Sequence, residues 1–476
     1  MDSPVKPTRA LLFICSVSLA MGLLMVLFPN GKIPLLGLKI PQWKTLFAAS
    51  RGIASDDLPE VMADMPLDLK EVTGNAETLE SLEPNARLLY SPKDSSGLSL
   101  FIQALEKMAQ NGSSLRVLHY GDSQIEGDRM TSLLREYFQM RFGGEGPSQQ
   151  PVFPFVPSFS IQHTASSNWQ RYTHFGPPRS RVKSKQYGIQ GLMARFVPAD
   201  QPVSSDTVSA WLEFKPSYVA YNKARTFRRI TFTYGNLRAP LSVRLYLNDT
   251  LHSVRTWMPV DRIASDDWKL TATPRKIRIE MEGTDSPDAY GIAFDGNRGI
   301  SVDNIAMRGA AGVTFTGMDR THFGEALGRE NVGLILLQFG GNAVPHVHDQ
   351  AAIDRYGRSI ALQIRNFKKW CPDASIVLIG PSDMCQKVDL DYITFPNLEK
   401  VRDALKQAAF DEKIAYFDTY AFMGGAGSMR KWVEEMQPPL AGPDYIHFTP
   451  KGSRKAGEGI VRAIEAQLQN DGLHVD

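Results

Sequence analysis

The sequence predicts an α/β protein: a parallel sheet flanked by helices, interrupted by a β-sandwich and preceded by a transmembrane helix. Three observations predict it. Apolar strand-like runs alternate with helix-patterned segments over 98–142 and again from 300 onward. The chain between them carries period-two strands separated by turn residues. An uncharged apolar run fills 10–29.

That first run reads ALLFICSVSLAMGLLMVLFP, and about 20 such residues suffice to cross a bilayer core. Lys6 and Arg9 precede it and Asn30-Gly31-Lys32 follow, with no small-x-small cleavage site just after it. An uncleaved single-pass anchor is expected over 1–30, with the bulk of the chain outside the cytoplasm. Lys32, Lys39 and Lys44 on the far side weaken the charge bias that would orient it. Residues 31–97 carry scattered prolines and many carboxylates without an apolar period, which reads as a tether.

A first α/β segment is expected over 98–145. Leu98–Met108 has helical spacing, and Leu115–Tyr120 is a short buried strand. Gly121-Asp122-Ser123 follows it, then a helix over Arg129–Met140. Residues 146–299 are expected to form the inserted β-sandwich. Its first part, 146–187, reads as loops, and strands are expected at Arg229–Tyr234, Leu241–Leu247, Lys276–Met281 and Tyr290–Phe294. Residues 300–476 return to the α/β pattern. Strands are expected at Ile300–Met307, Val332–Phe339, Ala374–Ile379 and Ala415–Phe417, and helices at Ala351–Trp370 and Asn397–Phe410. Because the strands on either side of the insertion share a sheet, the insertion is expected to leave and re-enter at the catalytic edge and overhang the cleft.

The formal net charge is +2 over 476 residues, which gives no electrostatic case for nucleic acid as a partner. Three cysteines, Cys15, Cys371 and Cys385, supply neither a zinc cluster nor a disulfide framework. Cys371 and Cys385 bracket a predicted strand, too far apart to bond, so free thiols are expected.

Four sequence blocks carry chemistry. Ser123 lies between an apolar strand and a helix, which places its hydroxyl at the carboxyl end of a sheet strand and aims helix N–H groups at what it attacks. Asp444-Tyr445-Ile446-His447 supplies a base and the carboxylate that fixes its tautomer from one loop. Gln338-Phe339-Gly340-Gly341-Asn342 ends the most apolar strand, where a side-chain amide can donate to an oxyanion. Asp303–Ala310 is another strand ending in glycine, whose N–H can approach a substrate oxygen closely.

The order Ser, Gly, Asn, Asp-x-x-His resembles the four blocks of the SGNH (GDSL-like) hydrolases over 97–142 and 300–470. The resemblance implies Ser123 as nucleophile, Asp444 and His447 as base pair, and the Ser123 N–H, Gly309 and Asn342 as oxyanion donors. Gly312 is the alternative glycine. Ala343 departs from relatives that carry Asp there. A narrower resemblance, in GDSQIEGD at 121–128, DYIHFTPKG and the intervening β insertion, is to bacterial envelope enzymes acting on O-acetyl groups of cell-wall polysaccharides. It implies a carbohydrate-binding-module-like insertion and a polysaccharide or peptidoglycan substrate. It also implies an inner-membrane, periplasm-facing location, a membrane-bound O-acyltransferase as a candidate partner, and no cofactor or metal. It leaves O-acetylesterase and O-acetyltransferase both open, with an idle glycan-binding protein as the non-enzyme reading.

Trp169 and Tyr172, with His174, are candidates to line a sugar cleft in the insertion. His346 and His348 with Asp349 read as loop residues rather than metal ligands, His119 as packed in the sheet, and Glu126 and Asp128 as carboxylates complementing a helix dipole after Ser123.

Overall fold

The computed structural model describes residues 32–33, 38–39, 82–92 and 98–473. The chain divides at residue 59 into two compact units. In the first, Lys32–Ile33 pairs antiparallel with Leu38–Lys39. The expected anchor at 10–29 and most of the expected tether lie outside the described residues. Among the described residues no helix is long and apolar enough to cross a membrane.

Val332–Gln338 is buried at every position, as a strand covered on both faces must be. It pairs in parallel with Ser114–Gly121 on one side and Ser375–Ile379 on the other. The full order is Gly299–Ala306, Ser114–Gly121, Val332–Gln338, Ser375–Ile379, Ala415–Phe417, then Leu88–Leu89. The first five are parallel. The chain therefore starts in the second position, moves to one edge, and then crosses to the other side. The order reverses between Ser114–Gly121 and Val332–Gln338, and the crevice outside their carboxyl ends is where such sheets bind ligands. Leu88–Leu89 corrects the tether reading: it pairs antiparallel with Tyr416–Phe417 and covers a strand edge that would otherwise be open.

The helices bury one stripe each. Ser99–Asn111 buries Phe101, Ile102, Leu105 and Met108 and ends at Gly112 in the left-handed region. Gln350–Trp370 is capped by Asp349, whose carboxylate accepts from the Ala352 N–H at 2.7 Å, and packs on Leu398–Asp411. Pro450–Asn470 starts at Thr449 and packs on Thr131–Phe142.

Between Phe142 and Gly299 the chain builds two antiparallel sheets that share one apolar core, with Phe232, Ile292 and Phe294 from one and Phe214, Leu245 and Ile279 from the other. Part of the region expected to be loop is sheet: Ser148–Gln150, Ile161–Ala165 and Gln170–Thr173. These strands are too short for a period to show.

The insertion does not leave and re-enter at the catalytic edge. Helix Thr131–Phe142 carries the chain back to the amino end of the sheet. There the Ile300 N–H donates to the Gly143 carbonyl at 2.9 Å and the Gly296 N–H to Glu145 at 3.0 Å. A Cβ on Gly144 or Gly146 would collide with the carbonyls of Ile300 and Phe294, so glycine is required for this close crossing. Arg116 fastens the neck, pairing at 2.8 Å with each of Asp295, Asp303 and Glu330. From the neck, 148–150 runs beside the edge strand: Gln149 donates its N–H to Asp303 and Ser148 accepts from the Val302 N–H. The chain then reaches the turn after Ser123, where the Phe159 N–H meets the Gly127 carbonyl at 2.8 Å.

Candidate active site

Ser123 opens a short 3-10 turn, Ser123–Asp128, at the carboxyl end of its strand. The turn is capped by Asp122, whose carboxylate accepts from the Gln124 N–H at 3.0 Å. The α-helix expected over Arg129–Met140 follows this turn, at Thr131–Phe142. Glu126 is extended and Gly127 and Asp128 have positive φ, which breaks the turn before right-handed geometry returns at Arg129 and leads into the α-helix. Asp128 does not complement a helix dipole. It is buried in an ion pair with Arg135 at 2.6 Å. Glu126 lies 3.6 Å from Arg308, and burial pushes its carboxyl up.

Ser123 Oγ lies 2.8 Å from His447 Nε2, and His447 Nδ1 lies 2.7 Å from Asp444 Oδ2. With Nδ1 facing a carboxylate, the ring proton sits on Nδ1, and Nε2 is left to accept from the serine hydroxyl. Partial burial pushes the Asp444 carboxyl up, but hydrogen bonds from the His447 ring and from the His447 and Ile446 N–H groups outweigh it and hold the group below its ordinary value. Asp444 thus stays ionised at neutral pH. The loop is braced from behind. Tyr445, at φ 55°, stacks on Tyr392 with centroids 3.7 Å apart and donates its hydroxyl to Glu434. Its carbonyl accepts from the Cys385 N–H at 3.0 Å.

Asn342 follows the neighbouring strand, and its Nδ2 donates to Asp122 Oδ2 at 2.9 Å and to the Ala310 carbonyl at 3.3 Å. The two candidate glycines separate on geometry. Gly312 is a packing glycine, since a Cβ there would lie 2.7 Å from the Phe339 ring. Gly309, at φ 75°, faces open space. Ser123, Asp444, His447, Asn342 and Gly309 are thus gathered at the sheet's reversal point from four separate stretches of chain. The fold is that of the SGNH, or GDSL-like, hydrolases.

No protein-family model matches the chain, and no curated protein matches it. Among solved structures, a peptidoglycan O-acetylesterase is similar at 19% identity, with 79% of this chain and 99% of that one covered and a TM-score of 0.61. An acetyl xylan esterase, AlAXEase, is matched at 13% identity over 35% of this chain and 81% of that one, TM-score 0.28. A family two carbohydrate esterase from Clostridium thermocellum is matched at 10% identity over 64% and 98%, TM-score 0.26. Of these three, the first alone is similar enough to bear on the SGNH fold.

The remaining candidates divide. Trp169 is corrected from sugar platform to core residue. It is 3% exposed, meets Phe196 edge-on, and donates its indole N–H to the Trp211 carbonyl at 3.3 Å, which leaves no face for a ligand. Tyr172 lines an open cleft of about 1150 Å³ together with Arg179, Arg181, Arg238 and Arg262. Neither Ser123 nor His447 borders that cleft. His174 packs against Tyr187 and the Gly317 backbone. His119 is buried between Gln338 and Thr131, and burial lowers its pKa to about 4, so it is neutral and structural. Cys371 and Cys385 are free and buried.

Asp122 was missed by sequence reasoning. Burial pushes its carboxyl up to about 6 against the hydrogen bonds from Gln124 and Asn342. Its position beside the serine was the available signal, but an acid next to a nucleophile is not a role. The role comes from Asn342, which only the fold brings to it.

Proposed function

We propose that this SGNH-fold chain is a serine esterase that removes O-acetyl groups from a cell-envelope polysaccharide. The observation that carries the reading is the Ser123–His447–Asp444 relay, with links of 2.8 and 2.7 Å, at the carboxyl ends of the central strands. His447 Nε2 takes the Ser123 proton as Oγ attacks the ester carbonyl. The negative charge that develops on the carbonyl oxygen is met by the Ser123 and Gly309 N–H groups and the Asn342 amide. Of the two Asn342 contacts, the 3.3 Å one to Ala310 is the weaker and is the one an oxyanion displaces. Collapse breaks the ester bond, and His447 returns the proton to the departing sugar oxygen. Water, deprotonated by His447, then releases acetate from acetyl-Ser123. Transfer of the acetyl group to a glycan hydroxyl instead of water uses the same residues.

The polymer reading draws on the similar peptidoglycan O-acetylesterase, 99% of whose chain is matched, and on the cleft at Tyr172. The uncharged run at 10–29 supports a single-pass anchor in a bacterial inner membrane with the catalytic part on the periplasmic side. A membrane-bound O-acyltransferase is the partner that such a location and chemistry suit.

The deciding experiment incubates the chain with O-acetylated polysaccharide, with and without an unacetylated oligosaccharide acceptor, and follows acetate release and acceptor mass. Wild type releases acetate, and Ser123→Ala releases none while melting within a degree or two of wild type, since a small hydroxyl adds little stability. Undiminished release by Ser123→Ala ends the reading, and a heavier acceptor makes the chain a transferase. Full-length protein is expected in the membrane fraction, and a mature chain lacking 1–30 would overturn the anchor.

A further inference from the structure

The nucleophile and its base lie 324 residues apart in the chain, so something must set the distance between them. One hydrogen bond does not set it. The residue after the nucleophile reaches across: Gln124 Nε2 donates to the Ile446 carbonyl at 2.6 Å, and Gln124 Oε1 accepts from the Phe448 N–H at 3.2 Å. One side-chain amide therefore pairs with the backbone on both sides of His447, as a neighbouring strand would. A second group completes the grip. Arg129 Nη2 donates to the Ser123 carbonyl and Nη1 to the Phe448 carbonyl, each at 3.0 Å. Its Nε donates to the Glu126 carbonyl at 3.0 Å. A guanidinium is rigid and planar, so three carbonyls from the two stretches are held in one frame.

We infer that Gln124 and Arg129 form a clamp that sets the Ser123–His447 separation, as positioning residues for acylation. The inference rests on the esterase reading. The His447 loop also has bracing of its own. Tyr392 stacks on Tyr445, the Gly442 N–H donates to the His447 carbonyl at 2.8 Å, and Ala441 bridges to Phe448 independently of both. The partners of the clamp are backbone carbonyls, one backbone N–H, and the Ser382 hydroxyl, which accepts from Gln124 Nε2 at 3.3 Å. A displacement of about 1 Å between reacting groups lowers a rate by around 10²-fold, which is the scale the clamp controls.

The test uses Gln124→Met, which keeps length and volume but none of the side chain's hydrogen bonds, and Arg129→Lys, which keeps the charge but not the planar fork. Gln124→Glu is the conservative variant, retaining the acceptor for the Phe448 N–H. Two readouts are taken on the full chain: the rate of labelling by a fluorophosphonate, and kcat and KM for p-nitrophenyl acetate. Gln124→Met should lose about 10²-fold in kcat and in labelling, with KM within about twofold and the melting temperature lowered by only a few degrees. Gln124→Glu should recover part of that loss. The double variant should fall by less than the product of the single losses, because both release the same loop. Labelling and kcat at wild-type levels in folded Gln124→Met overturn the clamp, as does a loss confined to KM. Should Gln124→Met not fold, Gln124→Glu and Arg129→Lys take its place, and wild-type labelling and kcat in both overturn the clamp. A wild-type chain that is neither labelled nor active, or is labelled equally well as Ser123→Ala, overturns the esterase reading instead.

Discussion

Asp122→Asn changes one atom of the site and should disable it. In the wild type one carboxylate oxygen takes the Gln124 N–H at 3.0 Å and the other takes Asn342 Nδ2 at 2.9 Å. An asparagine offers one oxygen and one NH2. With its oxygen kept on Gln124, its NH2 faces the NH2 of Asn342. Asn342 escapes only by turning its amide, which sets its oxygen against the Ala310 carbonyl now 3.3 Å from Nδ2. Either arrangement leaves a like pair in a buried place, at a penalty of about 1–3 kcal/mol. The turned amide also presents oxygen where an oxyanion needs a donor, and the loss of one donor is worth roughly 10²–10³ in kcat. The stability effect depends on pH in a definite direction. Burial raises the Asp122 carboxyl from 3.8 to about 6, so the folded state binds that proton more tightly than the unfolded state. Wild-type stability from this group is therefore full below about pH 4 and falls as pH rises through about 6, a slope that asparagine lacks. Turnover of p-nitrophenyl acetate and thermal unfolding at about pH 4 and 7.5 check both parts. The variant should be slow, and its melting temperature should compare worse with wild type at the lower pH than at the higher. Turnover within about threefold of wild type would refute the orienting role of Asp122. An identical melting difference at both pH values would refute the titration.

Three further outcomes follow from backbone geometry, the cleft and burial. Gly309 and Gly312 are both left-handed, at φ 75° and 79°, so each alanine variant should lose roughly 1–2 kcal/mol. Gly312→Ala should lose about 1–3 kcal/mol more to overpacking against Phe339, whereas Gly309→Ala should lose more turnover per folded molecule. Thermal melts paired with active-site titration separate the two, and the reverse ranking would move the oxyanion glycine to 312. Tyr172→Ala should lower kcat/KM on O-acetylated polysaccharide about 5–10-fold while leaving p-nitrophenyl acetate unchanged. Trp169→Ala should destabilise the insertion by about 3–5 kcal/mol, as emptying an aromatic core site does. Equal turnover of both substrates by Tyr172→Ala would place the polymer elsewhere.

Those contrasts mark where sequence reading succeeds and where it stops. Val332–Gln338 is legible because a strand buried on both faces must be apolar throughout, and Ser123, Asn342 and His447 because each follows such a strand or fills a spaced motif. Trp169 misleads because a tryptophan among Ser, Asn and Gln looks exposed. Which way it faces is decided by strands of four and five residues on either side, too short to show a period. Leu88–Leu89 is two residues long, and its role comes wholly from the open edge it covers. Gln124 and Arg129 are ordinary polar residues in the sequence. The partners that tie them to the His447 loop are backbone atoms more than 300 positions away, and backbone atoms leave no mark in composition.

The neck at 143–146 and 296–300 has a mechanical meaning. Domains strung on a single flexible linker wander, and a polymer held by one of them reaches the other at any spacing. Here two stretches of chain leave side by side, hydrogen-bonded to each other and backed by the three carboxylates on Arg116, a connection that resists swivelling. The distance from the insertion's surface to Ser123 is thus set by a paired, ion-bridged neck and not by the length of a loose linker.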